Sequence, residues 1–217
     1  MQLTQDTSQP NAVLRVLAIV FSYLFHPLFI PTYFFLYLTY RFPYEFSGIG
    51  EWQLQLRLFS TFWMTAFFPA FAVFLLYRLK FISNIYLRTQ KERIIPFFIA
   101  MFFYWWMYYL SRNMTDQPIV LKFFYMGIFI CMAIGVVINN YMKISMHGMG
   151  MGGLLTAMLL ISFYYQTFNG WSLAICIIAT GIVGTSRLLL NHHAPKELYT
   201  GLGLGAVCQI IGYLSVM

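Results

Sequence analysis

Residues 171–216 read WSLAICIIATGIVGTSRLLL, then NHHAPKEL, then YTGLGLGAVCQIIGYLSV. Two apolar runs, about Trp171–Leu190 and Tyr199–Val216, flank one short polar turn. Each run is long enough to cross the ~30 Å hydrocarbon core of a bilayer as a helix. Working outward, the same pattern predicts further spans at about Leu58–Leu79, Ile95–Leu110, Ile119–Ile138 and Gly150–Phe168. A longer stretch, Val13–Tyr40, carries His26-Pro27 and Pro31 at its centre, so a kink or a broken helix is expected there. The predicted fold class is therefore all-α, a polytopic membrane helical bundle of six to seven spans in one domain over residues 1–217.

Composition agrees. Of 217 residues, 60% are hydrophobic, 20% aromatic and only 9% charged, against about 25% charged in a soluble domain. The 13 Lys+Arg exceed the 6 Asp+Glu. The basic residues lie at span ends rather than in one patch, which argues against nucleic acid and for anionic headgroups or an anionic substrate. The N-terminus lacks an early basic cluster and does not read as a cleavable signal. Cys131, Cys176 and Cys208 fall inside apolar runs without ligand spacing and read as core residues. Aromatics such as those of the run Phe102–Tyr109 suit membrane interfaces or bundle packing.

Counting crossings puts three polar clusters on one face. They are Arg88, Lys91 and Arg93; Lys143, Ser145 and His147; and Arg187, His193 and Glu197. Ionisable groups at a membrane boundary are costly to keep, and three such clusters are what a site assembled from several helix ends requires. Each has a plainer reading. Arg187, Lys196 and the histidines could be interfacial anchors. The segment Arg88–Pro96 could be a positive loop before a span, in which Arg93 lies nearest the helix start. In Lys143–Gly153 the glycines could bring backbone N–H groups to a phosphate at a helix start. Alternatively, Met146, His147, Met149 and Met151 could form a soft Cu(I) set, or glycines and methionines could permit close helix packing. Gly201, Gly203 and Gly205 lie inside a span with no preceding strand and read as packing. His26 reads as structural, with a hydrogen bond to the broken backbone.

Ser186-Arg187, five residues, His193, three residues and Glu197 resemble the third signature of the type 2 phosphatidic acid phosphatase and vanadium haloperoxidase superfamily, which ends in Asp. Ser145-Met146-His147 is similar to the second signature, Pro-Ser-Gly-His, with Ile144 and Met146 in place of Pro and Gly. The first signature (Lys, six residues, Arg-Pro) is not met literally: Ile94 follows Arg93, position 86 is Tyr, and Arg88 or Lys91 would stand in for the Lys. The similarity covers roughly residues 88–217, leaving residues 1–80 as additional N-terminal spans.

The resemblance implies a phosphatase-like core that hydrolyses a lipid phosphate or diphosphate through a phosphohistidine. His193 would be the nucleophile, Glu197 would orient it, and His147 would serve as acid and base. Arg187, Arg93, Lys143, Ser145, and Lys91 or Arg88 would hold the phosphate. It implies no metal and no cofactor. The expected partners are a lipid phosphate and membrane lipids, in a bacterial inner (plasma) membrane. A lipid phosphotransferase of the same fold, a non-catalytic membrane protein and a metal transporter are the rival readings. The membrane face depends on the first stretch: one crossing from a cytoplasmic N-terminus puts the clusters inside, and a re-entrant stretch puts them outside.

Overall fold

The computed structural model describes residues 11–87, 89–167 and 170–217. Among these the chain is helical throughout: α1 (Ala12–Leu24), α2 (Ile30–Arg41), a short 3-10 turn (Pro43–Phe46), α3 (Glu51–Phe62), α4 (Phe68–Arg78), α5 (Gln90–Asn113), α6 (Ile119–Tyr141), α7 (Met146–Tyr164), α8 (Gly170–Leu189) and α9 (Pro195–Val216). A π turn, Trp63–Phe67, joins α3 to α4 in one helical rod. That rod and α5 to α9 are six helices long and apolar enough to cross a membrane. The lipid-facing sides of the outer helices carry large exposed apolar groups, including Phe59, Phe71, Ile175 and Ile178, as expected of an integral membrane protein.

The first apolar stretch is broken, as its prolines predict. α1 ends at Leu24, and α2 begins only at Ile30 with Pro31 in its first turn. α2 is not a peripheral helix: Ile30, Phe34, Phe35 and Leu38 are buried, and the Phe34 ring stacks on Phe124 with centroids 4.0 Å apart. Two boundaries differ from expectation. α3 starts at Glu51 rather than near Leu58, which places Arg57 inside the helix. The Arg57 Nη2 donates to Asp116 at 2.6 Å and its Nη1 to Gln117 at 3.0 Å, tying α3 to the connection between α5 and α6. α5 starts at Gln90 rather than Ile95, because Thr89 and Glu92 form a reciprocal capping box that satisfies the first free N–H groups. The π turn has a similar cause. Pro69 has no N–H to offer the Thr65 carbonyl, which accepts instead from the Tyr104 hydroxyl at 3.5 Å.

At the centre, α7 and α9 lie backbone to backbone. A Cβ on Gly152 would come within 2.1 Å of the Leu202 carbonyl oxygen, and one on Gly205 within 2.1 Å of the Met149 oxygen. Only glycine fits such an approach, and it is the close-packing use of small residues in membrane helices. The glycine-rich segments therefore serve helix packing, the plainer of their sequence readings. The methionines follow. Met151 lies in the core built around α2, α6 and α7, whereas Met149 packs with Phe97 and Val136 in a second core. Met149 and Met151 thus pack in two different cores.

Candidate functional site

The site is built from the starts of α5, α7 and α9 and the end of α8. α8 closes in a Schellman turn. Asn191 takes a left-handed φ of 53°, its N–H donates to the Leu188 carbonyl, and the His192 N–H reaches back to the Arg187 carbonyl at 3.2 Å. Asn is one of the few side chains that adopts this conformation readily. Three residues after Asn191, Ala194, in extended conformation, is the N-cap of α9, and Pro195 supplies its first helical position, where a missing N–H costs nothing. The turn leaves His193 just outside α9 and Glu197 in its first turn. The His193 Nδ1 and Glu197 Oε2 atoms are 2.6 Å apart. The His193 side chain is 2% exposed and that of Glu197 22%.

Ser145 caps α7, its Oγ accepting from the Gly148 N–H at 3.2 Å. The Ser145 N–H donates to the Glu197 carbonyl at 3.2 Å, so the two helix starts are locked together and their positive ends point into one volume. Lys143 Nζ donates to the His192 carbonyl at 2.9 Å. Arg93 is buried, with Nε donating to the Leu87 carbonyl and Nη1 to the Ile144 carbonyl, both at 2.8 Å. Arg187, in the last turn of α8, has a buried Nε with no hydrogen-bond partner. Such a group is costly to leave unpaired and suits an anion.

These groups reach each other electrostatically. Burial drives the His193 imidazole down to about 4; the Glu197 hydrogen bond opposes this, while Arg93, Lys143 and Arg187 each add to it. Lys143 is also lowered, first by burial and then by Arg93 and Arg187, with Glu197 opposing. Three cations thus surround one carboxylate and a neutral histidine, an excess of positive charge that a phosphate dianion would neutralise.

His193, Glu197, Arg187, Lys143, Ser145, His147 and Arg93 are therefore brought to one end of the bundle. Lys91 is exposed on the first turn of α5 and makes none of these hydrogen bonds. Arg88 lies outside the described residues. Arg93 differs in kind from its sequence reading: two of its donors are spent on main-chain carbonyls, so it staples the loop before α5 to the loop before α7 as well as contributing charge.

His147 holds the largest surprise. Its Nε2 lies 2.9 Å from the Ser22 carbonyl oxygen, and its ring meets that of His26 edge-on, with centroids 5.2 Å apart. The N-terminal helices are thus part of the site. The sequence signal was the proline-broken stretch itself, which marks freed backbone carbonyls without saying what would use them. His26 is as expected in one respect, its Nδ1 accepting from the Leu28 N–H at 3.4 Å. Among the described residues no group of three His, Cys, Asp or Glu side chains is placed to hold a metal ion. No protein-family model, curated protein or solved structure matches this chain.

Proposed function

We propose that this protein is a membrane-embedded phosphatase acting on a lipid phosphate or diphosphate through a phosphohistidine, of the phosphatidic acid phosphatase type 2 kind. The observation that carries the reading is the His193–Glu197 pair at 2.6 Å, with the imidazole kept neutral first by its burial and then by Arg93, Lys143 and Arg187.

A carboxylate accepting from Nδ1–H fixes the tautomer, so Nε2 keeps its lone pair. Nε2 attacks phosphorus, the bond from phosphorus to the lipid oxygen breaks, and Glu197 stabilises the positive charge that develops on the ring. The cations and the two helix starts hold the equatorial oxygens, where charge spreads in the transition state. His147 delivers a proton to the leaving lipid oxygen and recovers one from the water that then cleaves the phosphorus–nitrogen bond, releasing inorganic phosphate. Because its Nε2–H stays donated to a carbonyl, both transfers run through Nδ1. The imidazolium gives its Nδ1 proton to the lipid oxygen, and the neutral ring that remains, with its lone pair on Nδ1, takes a proton back from the attacking water.

The test uses purified protein in detergent, given phosphatidic acid, phosphatidylglycerophosphate and undecaprenyl diphosphate, with phosphate release followed with and without a chelator. Release that survives chelation and disappears in His193→Ala and His147→Ala is expected. Full activity in His193→Ala would refute the mechanism, and release that requires a divalent metal would refute the assignment of the phosphate to side-chain cations.

A further inference from the structure

The break between α1 and α2 holds more than a kink. In an uninterrupted helix the Tyr23 carbonyl would accept from the N–H of residue 27 and the Ser22 carbonyl from that of residue 26. Residue 27 is proline and has no N–H. The Tyr23 carbonyl takes the His26 N–H instead, at 3.2 Å. That leaves the Ser22 carbonyl without its helical donor, buried at the start of α7, and it accepts from His147 Nε2 at 2.9 Å. A carbonyl oxygen only accepts, so the bond requires the proton on Nε2 and leaves the lone pair on Nδ1.

We infer that Pro27 is a positioning residue for His147: by freeing the Ser22 carbonyl it fixes the Nε2–H tautomer and presents Nδ1 to the reacting group. The catalytic consequence rests on the phosphatase reading, whereas the tautomer does not. The turn is also held from the α7 side. A Cβ on Gly150 would lie 2.7 Å from Ile30 Cδ1, 3.0 Å from Pro27 Cβ and 3.3 Å from its Cα, so Gly150 lets the Pro27 turn and the start of α2 sit against α7.

Two substitutions that leave His147 and Ser22 in place test the inference. Pro27→Ala restores an N–H, allowing residue 27 to pair with Tyr23, His26 to pair with Ser22, and His147 to lose its acceptor. Gly150→Ala keeps the α1 and α2 sequences and pushes the turn outward. The probe is nitrogen NMR of histidine-labelled protein in micelles, with the His147 signals assigned by their loss in His147→Gln. Undisturbed His193 signals serve as the check on folding.

The wild type is expected to show His147 as the Nε2–H tautomer, and both variants a mixture with Nδ1–H. For a lipid phosphate that the wild type hydrolyses, kcat should fall about tenfold in each variant with KM within about twofold, since proton transfer rather than binding is impaired. An Nδ1–H tautomer in the wild type, or a tautomer unmoved in both variants, overturns the inference. A shifted tautomer in a protein that hydrolyses no lipid phosphate supports the positioning role and refutes the phosphatase reading instead.

Discussion

Replacing Glu197 by Asp, the residue the family signature carries, is expected to lower activity rather than improve it. The present bond spans 2.6 Å from His193 Nδ1 to Glu197 Oε2. Removing one methylene withdraws the carboxylate by about 1.5 Å, to a separation of roughly 4 Å, too long for a hydrogen bond. The backbone is not free to follow. The Glu197 carbonyl is held by the Ser145 N–H at 3.2 Å, and a Cβ on Gly201, one turn further along α9, would already lie 2.6 Å from the Ser145 oxygen. α9 therefore has no room to move closer to α7. A hydrogen bond to a charged group contributes about 1.5–3 kcal/mol, which corresponds to roughly a ten- to hundredfold fall in kcat. Phosphate release should be measured for the wild type, Glu197→Asp and Glu197→Ala at matched detergent and substrate, with thermal unfolding as the control. The two variants should fall together. Glu197→Asp at wild-type activity beside an inactive Glu197→Ala would show that the carboxylate reaches His193 by another route, and the argument from side-chain length would be wrong.

Acid should act through the same histidine. With His193 held at about 4 by burial against about 6.5 when unfolded, the nucleophile stays neutral through mild acid, and the acid limb of its contribution to kcat/KM should lie near pH 4. Because the unfolded chain takes up the proton first, the contribution of His193 to stability is complete above about pH 6.5 and is lost as pH falls to about 4; unfolding in detergent from pH 7 to pH 4.5 should show Tm falling, less steeply in His193→Gln. Gly205→Ala drives a Cβ into the Met149 carbonyl and should destabilise by about 1–3 kcal/mol or more, read as a lowered Tm, whereas Gly203→Ala, where the added Cβ meets open space, should be neutral. Asp116→Asn breaks the ion pair with Arg57, but Asp116 is 42% exposed, so it should cost less than about 1 kcal/mol and leave phosphate release unchanged.

The spans were legible because their signal is local: a run of apolar residues long enough to cross leaves a helix as the one way to satisfy its backbone. The helix starts were less so. A span search sees hydropathy, and Gln90, Lys91, Glu92 and Arg93 are polar, so α5 was expected to begin after them. Thr89 and Glu92 were nevertheless a readable capping pair, three residues apart, and reading it would have put Arg93 inside the helix. The same holds at Ser145, three residues before the N–H it caps.

The core of the site was legible for a related reason: His193 and Glu197 are four residues apart across a proline helix start, and local geometry alone brings them within reach. The partner of His147 was not, since Ser22 lies 125 residues away and contributes a main-chain carbonyl, which has no letter in a sequence. What the sequence does contain is the cause. A proline after the last turn of an apolar helix leaves one carbonyl needing a donor, and in a membrane no water is at hand to supply it. A freed carbonyl must then either face a polar cavity or be bonded by a side chain from another helix. Finding which polar side chains share the depth of His26-Pro27 would have pointed to the start of α7, and His147 is the buried donor there. Proline breaks in membrane helices are thus better read as unfilled acceptor positions than as flexible points, and the donor that fills this one lies at the centre of the proposed chemistry.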